Sequence, residues 1–206
     1  MQKRGRILIV DDERVMRESL SRVLEEAGYS AVAAASGEEA LGAFAAHRPD
    51  LVLLDVMMPG LDGYATCVEM RKLDREAPVV FLSALDSDVD QIKGLEAGAD
   101  DYVSKVSSER LLLARIEKAI ARSARFSAIS APPSMTRTEA GIFRLLESKR
   151  GTYFSYREIF DAICGEGYVA DEGAIRVHVS HLRKKLPSGL SIEAKRGLGY
   201  ALHRTR

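Results

Sequence analysis

The sequence contains little cysteine and no hydrophobic stretch long enough to cross a membrane. Its two cysteines, Cys67 and Cys164, lie far apart and outside any metal-ligand spacing, so they do not indicate a disulfide framework. A reducing cytoplasm is the location that such cysteine usage favours. The apolar stretch within MQKRGRILIVDDE is too short for a signal peptide. We therefore expect a cytoplasmic protein that has no membrane partner.

The chain also lacks net charge, with 30 basic and 30 acidic side chains, but the two signs are unevenly distributed. Residues 1–122 carry 16 Lys and Arg against 22 Asp and Glu, whereas residues 123–206 carry 14 against 8. The length of 206 residues is enough for two small domains. An acidic half followed by a basic half indicates two different tasks, and a polyanion is the expected partner of the second half. A chance distribution of charge is the alternative.

Apolar runs alternate with amphipathic segments through the first 122 residues. The runs predict five strands and the segments predict five helices, several of them marked by a capping box or a terminal glycine. This alternation is typical of an α/β, doubly wound parallel sheet that is covered by helices on both faces. The predicted strands are Ile7–Val10, Ala31–Ala34, Leu51–Leu54, Val79–Leu82 and Tyr102–Val103, and the last three predicted helices are Gly63–Leu73, Asp88–Ala97 and Ser108–Arg122.

Residues 123–134, SARFSAISAPPS, are small, polar and marked by proline, which predicts a linker to a second domain over residues 135–206. Capping boxes at Thr136–Glu139 and Ser155–Glu158 predict two helices, and a third helix is expected to end near Pro187. Alternating residues around two glycines near the C-terminus predict a β-hairpin. The second domain is therefore expected to be a small α+β unit.

Charged and polar side chains follow the predicted strands of the first domain. Asp11 and Asp12 follow the first strand, and Asp55 ends the third. Ser83 and Lys105 follow the fourth and fifth strands. Ligands of doubly wound sheets bind outside the carboxyl ends of the strands, so we expect these side chains to converge on one site.

Three close carboxylates repel one another, and a hard divalent cation such as Mg²⁺ relieves that repulsion. A carboxylate can attack phosphorus to form an acyl phosphate, whose oxygens a metal and a lysine then neutralise. A small hydroxyl such as that of Ser83 can hydrogen-bond to the new phosphate. The alternative is that the aspartates are solvated loop residues or helix caps. That interpretation is preferable for Asp11 or Asp62 alone, but not for the whole set.

The segments ILIVDDE, LVLLDVMMPGLDG, VVFLSA and GADDYVSK resemble the receiver domains of two-component response regulators over about residues 5–122. The resemblance implies a flavodoxin-like fold in which Asp55 accepts phosphate from a sensor histidine kinase. It also implies that Asp12, Asp55 and the backbone carbonyl of Met57 bind Mg²⁺, with Asp11 acting largely through water.

The resemblance further implies that Ser83 and Tyr102 form the pair that switches conformation. One position departs from the family, because receivers usually carry proline after the lysine of the fifth strand, with a cis peptide between the two. Here Val106 follows Lys105, and a cis bond before valine would cost about 3–4 kcal/mol, so we expect a trans bond. The loop that positions Lys105, and with it the lifetime of the acyl phosphate, is expected to differ from that of the family.

The third helix of the second domain is predicted to have two faces. Its core face consists of Ile175, Val179, Leu182 and Leu186. Its outer face carries Ala174, Val177, His178, His181 and Lys185, flanked by Arg183 and Lys184. A basic helix with small outer residues fits the major groove of DNA, and Arg196 at the bend of the hairpin is placed to enter a minor groove. The alternatives are an ordinary solvated face or, for the two histidines, a metal site that lacks further ligands.

The segments VHVSHLRKKL and IEAKRGLGYAL resemble the winged-helix output domain of the OmpR/PhoB class of response regulators, from about Met135 to Leu202. The resemblance implies that the third helix is the recognition helix and that the hairpin is the wing. The implied contacts are His178 and Arg183 to phosphates, Ala174, Val177 and His181 to bases, Arg196 to a minor groove, and the loop Cys164–Asp171 to RNA polymerase.

Two departures concern this second domain. Residues 123–134 are too few for the four-stranded sheet that usually precedes the first helix, so we expect that sheet to be absent. Gly173 replaces a basic residue that is common at the start of the recognition helix, so one phosphate contact is expected to be lost. Both departures leave room for the alternative that this domain binds a protein rather than DNA.

These features together predict a DNA-binding transcriptional regulator that phosphorylation controls and that is not an enzyme in the usual sense. One alternative is a receiver-controlled module whose second domain binds a protein. Another is a phosphatase that uses Asp55, but the sequence shows no further catalytic base near the pocket.

We also expect a homodimer, formed through the helices predicted at Asp88–Ala97 and Ser108–Arg122 and the strand between them. The expected interface residues are Asp100, Asp101, Leu111, Arg115 and Arg122. The resembling family pairs charges on this surface, and Leu111 adds apolar area that favours self-association.

Overall fold

The N-terminal unit is a parallel sheet of five strands in the order β2-β1-β3-β4-β5. The computed structural model describes residues 4–83, 93–94, 97–126, 134–164 and 172–205, and it divides the chain into two units between Ala124 and Arg125. The elements of the first unit are β1 (Arg6–Val10), α1 (Arg14–Glu26), β2 (Ser30–Ala34), α2 (Gly37–His47), β3 (Leu51–Asp55), α3 (Gly63–Leu73), β4 (Val79–Ser83), β5 (Asp101–Ser104) and α4 (Glu109–Phe126). The predicted doubly wound α/β fold with five parallel strands is confirmed.

The last two helices of this unit differ from the prediction in what the structure describes and in where they end. The helix expected over Asp88–Ala97 lies mostly outside the described residues, although Lys93 and Gly94 are helical. Helix α4 continues to Phe126, so the first four residues of the predicted linker 123–134 belong to it instead. The helix continues because its amphipathic pattern is not interrupted by glycine or proline before that point.

The central strands are buried on both faces of the sheet. Every residue of β3 and of β4 is buried, which explains why their sequences are continuous apolar runs rather than alternating patterns. In β1, Leu8 and Val10 pack in one core cluster, whereas Ile7 and Ile9 pack in the other. Side chains of a strand point alternately to its two faces, so this one strand supports both cores. The polar residues that follow such strands can lie only at the edge of the sheet.

Close backbone packing brings the start of α3 to the end of β3. The Asp62 carboxylate caps α3 by accepting a hydrogen bond from the Ala65 N–H at 2.8 Å. A Cβ atom at Gly63 would lie 2.1 Å from the carbonyl oxygen of Asp55, so only glycine fits at that position. The sequence GLDG therefore fixes the loop that surrounds the end of β3.

The C-terminal unit is a small α+β domain. It contains α5 (Arg137–Ser148), α6 (Tyr156–Cys164), α7 (Glu172–Lys185), β6 (Leu190–Lys195) and β7 (Gly199–Arg204). Strands β6 and β7 form the predicted antiparallel hairpin, and Phe154 adds a bridge to Tyr200. Gly199 is required there, because it has φ +103° and an added Cβ would lie 1.9 Å from the Phe154 carbonyl oxygen.

Both predicted capping boxes of this domain are present. The Thr136 hydroxyl accepts from the Glu139 N–H, and the Glu139 carboxylate accepts from the Thr136 N–H at 2.6 Å. Ser155 and Glu158 make the same reciprocal pair at 3.2 and 2.8 Å. Between β5 and α5 the described residues contain a helix and no strand, consistent with the expected absence of the four-stranded sheet. None of the helices in the described ranges has the length and apolar character needed to span a membrane.

Candidate functional sites

Three carboxylates and one ammonium meet at the carboxyl edge of the parallel sheet. Carboxylate oxygens of Asp11, Asp12 and Asp55 all lie within 4.8 Å of one another. The Nζ atom of Lys105 lies 2.8 Å from Asp11 Oδ2 and 2.9 Å from Asp55 Oδ2. Asp11 and Asp55 are buried, whereas Asp12 is exposed. The predicted convergence of these four side chains is therefore found in the structure.

Backbone groups and one arginine hold this edge in shape. Asp11 Oδ1 accepts from the Glu13 N–H at 2.9 Å, and Asp55 Oδ1 accepts from the Met57 N–H at 3.3 Å. The Arg17 guanidinium donates to the carbonyl oxygens of Asp11 at 2.7 Å and Asp12 at 2.9 Å. The role of Arg17 was not predicted, because helical periodicity shows which residues face the core and does not identify a side chain that reaches back to the preceding loop.

The charges at this edge are not balanced. Burial raises the pKa of Asp55, and repulsion from Asp11 adds to that effect, whereas contact with Lys105 and the Met57 N–H acts in the opposite direction. Burial alone would lower the pKa of Lys105, but its hydrogen bonds to Asp11 and Asp55 raise it overall. Lys105 therefore stays protonated at neutral pH, and one ammonium faces three carboxylates. A hard cation with oxygen ligands suits this donor set.

The substitution of valine for the usual proline does not keep Lys105 from the carboxylates. All peptide bonds of the described residues are trans, including Lys105–Val106, so the expectation for this bond is confirmed. The Val106 side chain is exposed, and the turn that contains it still places Nζ of Lys105 within 3 Å of both buried carboxylates. The position of Lys105 thus depends on these ion pairs.

The two predicted switch residues lie on neighbouring strands. Ser83 is fully buried at the end of β4, and its carbonyl oxygen accepts from the Lys105 N–H at 2.8 Å. The Tyr102 ring centroid lies 6.4 Å from that of Phe81, which in turn lies 5.5 Å from that of Tyr64. A row of aromatic rings therefore connects β5 to the first turn of α3. Of these three aromatic residues, only Tyr102 was predicted from the sequence to be functional.

One residue of the predicted dimer interface lies inside the domain instead. The Asp100 carboxylate accepts from Arg71 Nη2 at 2.8 Å and from the Val79 N–H at 3.0 Å, and it is only 4% exposed. Asp100 is therefore not available as an interface charge, because this buried ion pair ties α3 to the start of β5. The sequence did not reveal this, since an aspartate beside a strand is usually solvated.

The remaining predicted interface residues have mixed surroundings. Arg115 Nη1 lies 2.7 Å from Asp101 Oδ1 within the same chain, and both side chains are about a quarter exposed. Leu111 is 42% exposed on α4, as its predicted role requires. The Arg122 side chain lies outside the described residues.

Helix α7 has the predicted core face but a more complex outer side. Ile175, Val179 and Leu182 are buried, and Leu186 packs against the same core. His178 is only 5% exposed, so its placement on an open outer face is wrong in this structure. Helical geometry puts residue 178 between residues 175 and 182, which face the core, and this explains the burial.

Several predicted DNA-contacting residues have partners within the domain. Lys185 Nζ lies 2.6 Å from Glu139 Oε2, and His181 Nδ1 lies 3.9 Å from Glu139 Oε1. The Arg183 guanidinium donates to the Ile192 carbonyl oxygen at 3.0 and 3.1 Å. These contacts anchor α7 to α5 and to β6, and they were not predicted because the partners are distant in sequence.

The remaining predicted DNA-contacting positions differ in exposure. Arg196 is exposed at the bend between β6 and β7. Ala174, Val177 and His181 are partly buried on α7, and Gly173 precedes them in its first turn. The loop Cys164–Asp171, which the resemblance linked to RNA polymerase, lies outside the described residues apart from the helical backbone of Cys164.

Comparison with protein families gives two matches that together span most of the chain. The response regulator receiver domain matches residues 7–117, and the C-terminal domain of transcriptional regulatory proteins matches residues 130–202. The chain belongs to the response regulators with an OmpR/PhoB-type output domain. Such a response regulator is a phosphorylation-controlled transcriptional regulator.

Known response regulators resemble this one along nearly its whole length. The response regulators MprA of Mycolicibacterium vanbaalenii and of Mycobacterium tuberculosis are each 36% identical to it, over 97% of this chain and 98% of theirs. The alignment with the first spans 226 positions, more than the 206 residues of this chain, so that relative has residues without a counterpart here.

Solved structures agree with this assignment. The BeF3-activated receiver domain of Klebsiella pneumoniae RstA is 36% identical, with a TM-score of 0.54 over 56% of this chain and 97% of that domain. A mutant of RitR covers 99% of this chain and 100% of its own, with a TM-score of 0.77. At 20% identity RitR shows a likeness of fold alone.

Asp55→Asn is expected to stabilise the receiver domain at pH 7 in the presence of a chelator, by on the order of 1 kcal/mol. The pKa of Asp55 is raised in the folded state, so wild type loses stability as the pH rises from about 3.9, the ordinary value for Asp, through the raised folded value. Asparagine does not titrate, and Lys105 keeps Asp11 as a partner.

The measurement is urea unfolding followed by circular dichroism at several pH values. The advantage of the variant should shrink as the pH falls towards 4. Asp12→Asn is the matched control and should change stability little, because Asp12 is exposed. A variant that is less stable than wild type at pH 7 would refute the charge imbalance described above.

Proposed function

We propose that Asp55 accepts a phosphoryl group from a sensor histidine kinase, and that phosphorylation controls binding of the C-terminal domain to promoter DNA in the cytoplasm. The assignment of Asp55 as phosphoacceptor is supported by its position at the end of β3, where Lys105 and two further carboxylates lie close to it. Response regulators of this kind are in general not enzymes. We therefore propose no reaction beyond the receiver's own phosphorylation and dephosphorylation.

The donor set of the receiver fits Mg²⁺. Asp11, Asp12 and Asp55 offer carboxylate oxygens, and the backbone carbonyl of Met57 would complete the protein ligands. When bound, the cation supplies positive charge that offsets the charge of the phosphoryl oxygens. The carboxylates, with one lysine among them, retain enough negative charge to favour a divalent cation.

The positions of the side chains support the following phosphoryl transfer. A carboxylate oxygen of Asp55 attacks phosphorus, a bond forms between that oxygen and phosphorus, and the bond from phosphorus to the donor histidine nitrogen breaks. Lys105 lies 2.9 Å from Asp55 Oδ2, so its ammonium is placed to form an ion pair with an oxygen of the transferred phosphoryl group. The Ser83 hydroxyl would then bond to the phosphate, and Tyr102 would follow the movement of Ser83.

A cavity of 460 Å³ lies at this edge of the sheet, beside the proposed cation ligands Asp12 and Met57. Its lining includes Asp12, Met57, Asp62 and Tyr64. We propose that a phosphorylated histidine or a small phosphodonor approaches from this side.

Asp55→Asn is expected to abolish labelling by acetyl phosphate with Mg²⁺, because the amide of asparagine does not supply the nucleophilic carboxylate oxygen. Intact-protein mass spectrometry should show one added phosphate on wild type and none on the variant. Asp50→Asn is the matched control, since Asp50 directly precedes the same strand and should leave labelling unchanged. A hydroxylamine-sensitive phosphate on the Asp55→Asn variant would refute the assignment.

The C-terminal domain is proposed to bind duplex DNA through α7 and the hairpin. In this proposal Ala174, Val177 and His181 face base edges, and Arg196 enters a minor groove. Arg183 and Lys185 contribute charge near phosphates, but each must do so while it is also bound within the domain. His178 is left with a packing role in this conformation because it is buried.

His181→Ala should reduce the ratio of the affinity for a selected duplex to the affinity for a scrambled one, because a lost base contact costs about 1–3 kcal/mol at one position.

Arg196→Ala should instead weaken binding most where the flanking sequence is A·T-rich. Both are measured by titration of the full chain at several salt concentrations. If neither variant changes DNA affinity, a protein becomes the preferred partner of this domain.

A homodimer through the β5 and α4 surface is the further part of this proposal. Leu111 supplies exposed apolar area there, and the pair Asp101–Arg115 supplies charge at its side. Leu111→Glu should shift the protein to monomer in sedimentation equilibrium at tens of micromolar after treatment with BeF₃⁻. A strict monomer for wild type in both states would contradict the proposal.

A further inference from the structure

The exposed side of α7 carries an arginine that stacks on a tyrosine of α6. Arg176 is 63% exposed, and its guanidinium carbon lies 5.7 Å from the centroid of the Tyr156 ring. The neighbouring Tyr156 hydroxyl raises the pKa of the Arg176 guanidinium. Seven residues further along the helix, the guanidinium carbon of Arg183 lies 5.9 Å from the Tyr200 ring centroid. Two turns of α7 thus present two stacked guanidinium groups on one side.

The two tyrosines form one rigid support. Their ring centroids lie 5.5 Å apart with an interplanar angle of 80°, which is an edge-to-face contact. Burial, together with a hydrogen bond to Tyr156, raises the pKa of Tyr200 to about 12. Both rings belong to well-packed elements, since Tyr156 begins α6 and Tyr200 lies in β7. The two tyrosine rings therefore connect α7, the proposed recognition helix, to the hairpin of β6 and β7, the proposed wing.

The present partner of Arg176 resembles a phosphate in its chemistry. Glu172 Oε2 lies 3.4 Å from Arg176 Nη2, and both side chains are more than half exposed. An exposed ion pair of this kind contributes about 0–1 kcal/mol, so an anion can replace the glutamate at little cost. Arginine binds phosphate through the same planar donors.

We propose that Arg176 contacts a DNA phosphate and that Tyr156 is a positioning residue that acts through Arg176. The inference rests on the proposed DNA binding and identifies residues that the sequence analysis did not select. Charge complementarity identifies the partner, since Arg176, Arg183 and Lys184 lie on one exposed side of α7. The stack on Tyr156 restricts a flexible side chain before binding, which reduces the entropy lost on contact with DNA.

The test is a double-mutant cycle on the full chain, with a 30-base-pair duplex that wild type selects from a randomised library and a scrambled duplex of the same composition. Arg176→Ala should weaken binding to both duplexes by the same factor and lower the salt slope by about one unit. Tyr156→Phe should cause a smaller loss, of about two- to fourfold, because the ring remains but the hydroxyl is gone. In the Arg176→Ala background Tyr156→Phe should have no further effect.

Two further variants test whether the effect is specific to the position of Arg176 and to its planar guanidinium. Arg157→Ala removes an exposed arginine next to Tyr156 that pairs with Asp161, and it should leave the salt slope unchanged. Arg176→Lys keeps the charge without the planar stack, so it should retain the salt slope and lose part of the affinity.

Three outcomes would overturn the inference. An unchanged salt slope for Arg176→Ala means that Arg176 touches no phosphate. An equal loss from Tyr156→Phe in both backgrounds means that Tyr156 supports the fold and does not act through Arg176. If wild type selects no duplex at all, DNA binding itself fails, and the proposed function falls together with this inference.

Discussion

The receiver site depends above all on the ion pairs that Lys105 makes with the two buried carboxylates Asp11 and Asp55. Without this ammonium, the edge of the sheet would hold three carboxylates within 4.8 Å of one another, and the two buried ones would lose their ion-pair partner. With Lys105 in place, one ammonium still faces three carboxylates. This excess of negative charge makes the edge suitable for a divalent cation, which in turn can bind a phosphoryl group. Burial raises the pKa of Asp55 most, and repulsion from Asp11 adds to it. A fully neutralised site would be more stable but would attract a cation less strongly.

The fold supports this unfavourable cluster through packing elsewhere. Strands β3 and β4 are buried along their whole length, and a residue such as Asp55 at the end of a rigid strand has little freedom to move away from its neighbours. Arg17 holds the backbone of Asp11 and Asp12, while Gly63 lets α3 approach the backbone of Asp55. These contacts are made to backbone atoms, so they position the carboxylates without forming ion pairs with them. The carboxylates therefore remain close together and reactive.

The strands and the carboxylate cluster could be predicted from the sequence, because both follow from local rules. A buried parallel strand requires an apolar run, and polar residues at its end must lie at one edge of the sheet. The sequence was insufficient wherever a charged residue pairs with a distant one. Asp100 pairs with Arg71, 29 positions away, and Lys185 pairs with Glu139, 46 positions away. Neither pairing has a local sequence pattern. Asp100 and Lys185 were therefore predicted to lie on interaction surfaces, whereas the structure pairs both within their own domains.

The same division of charges explains the arrangement of α7. If α7 binds a polyanion as proposed while it also packs on a protein core, some of its cations must have internal partners and others must stay exposed. Lys185 is held by Glu139 and Arg183 by the Ile192 carbonyl, and these contacts fix the orientation of the helix. Arg176 is held by an aromatic face and by an exposed glutamate, neither of which removes its charge from solvent. A fixed helix with an exposed, pre-oriented guanidinium is what recognition of a regularly spaced phosphate backbone requires.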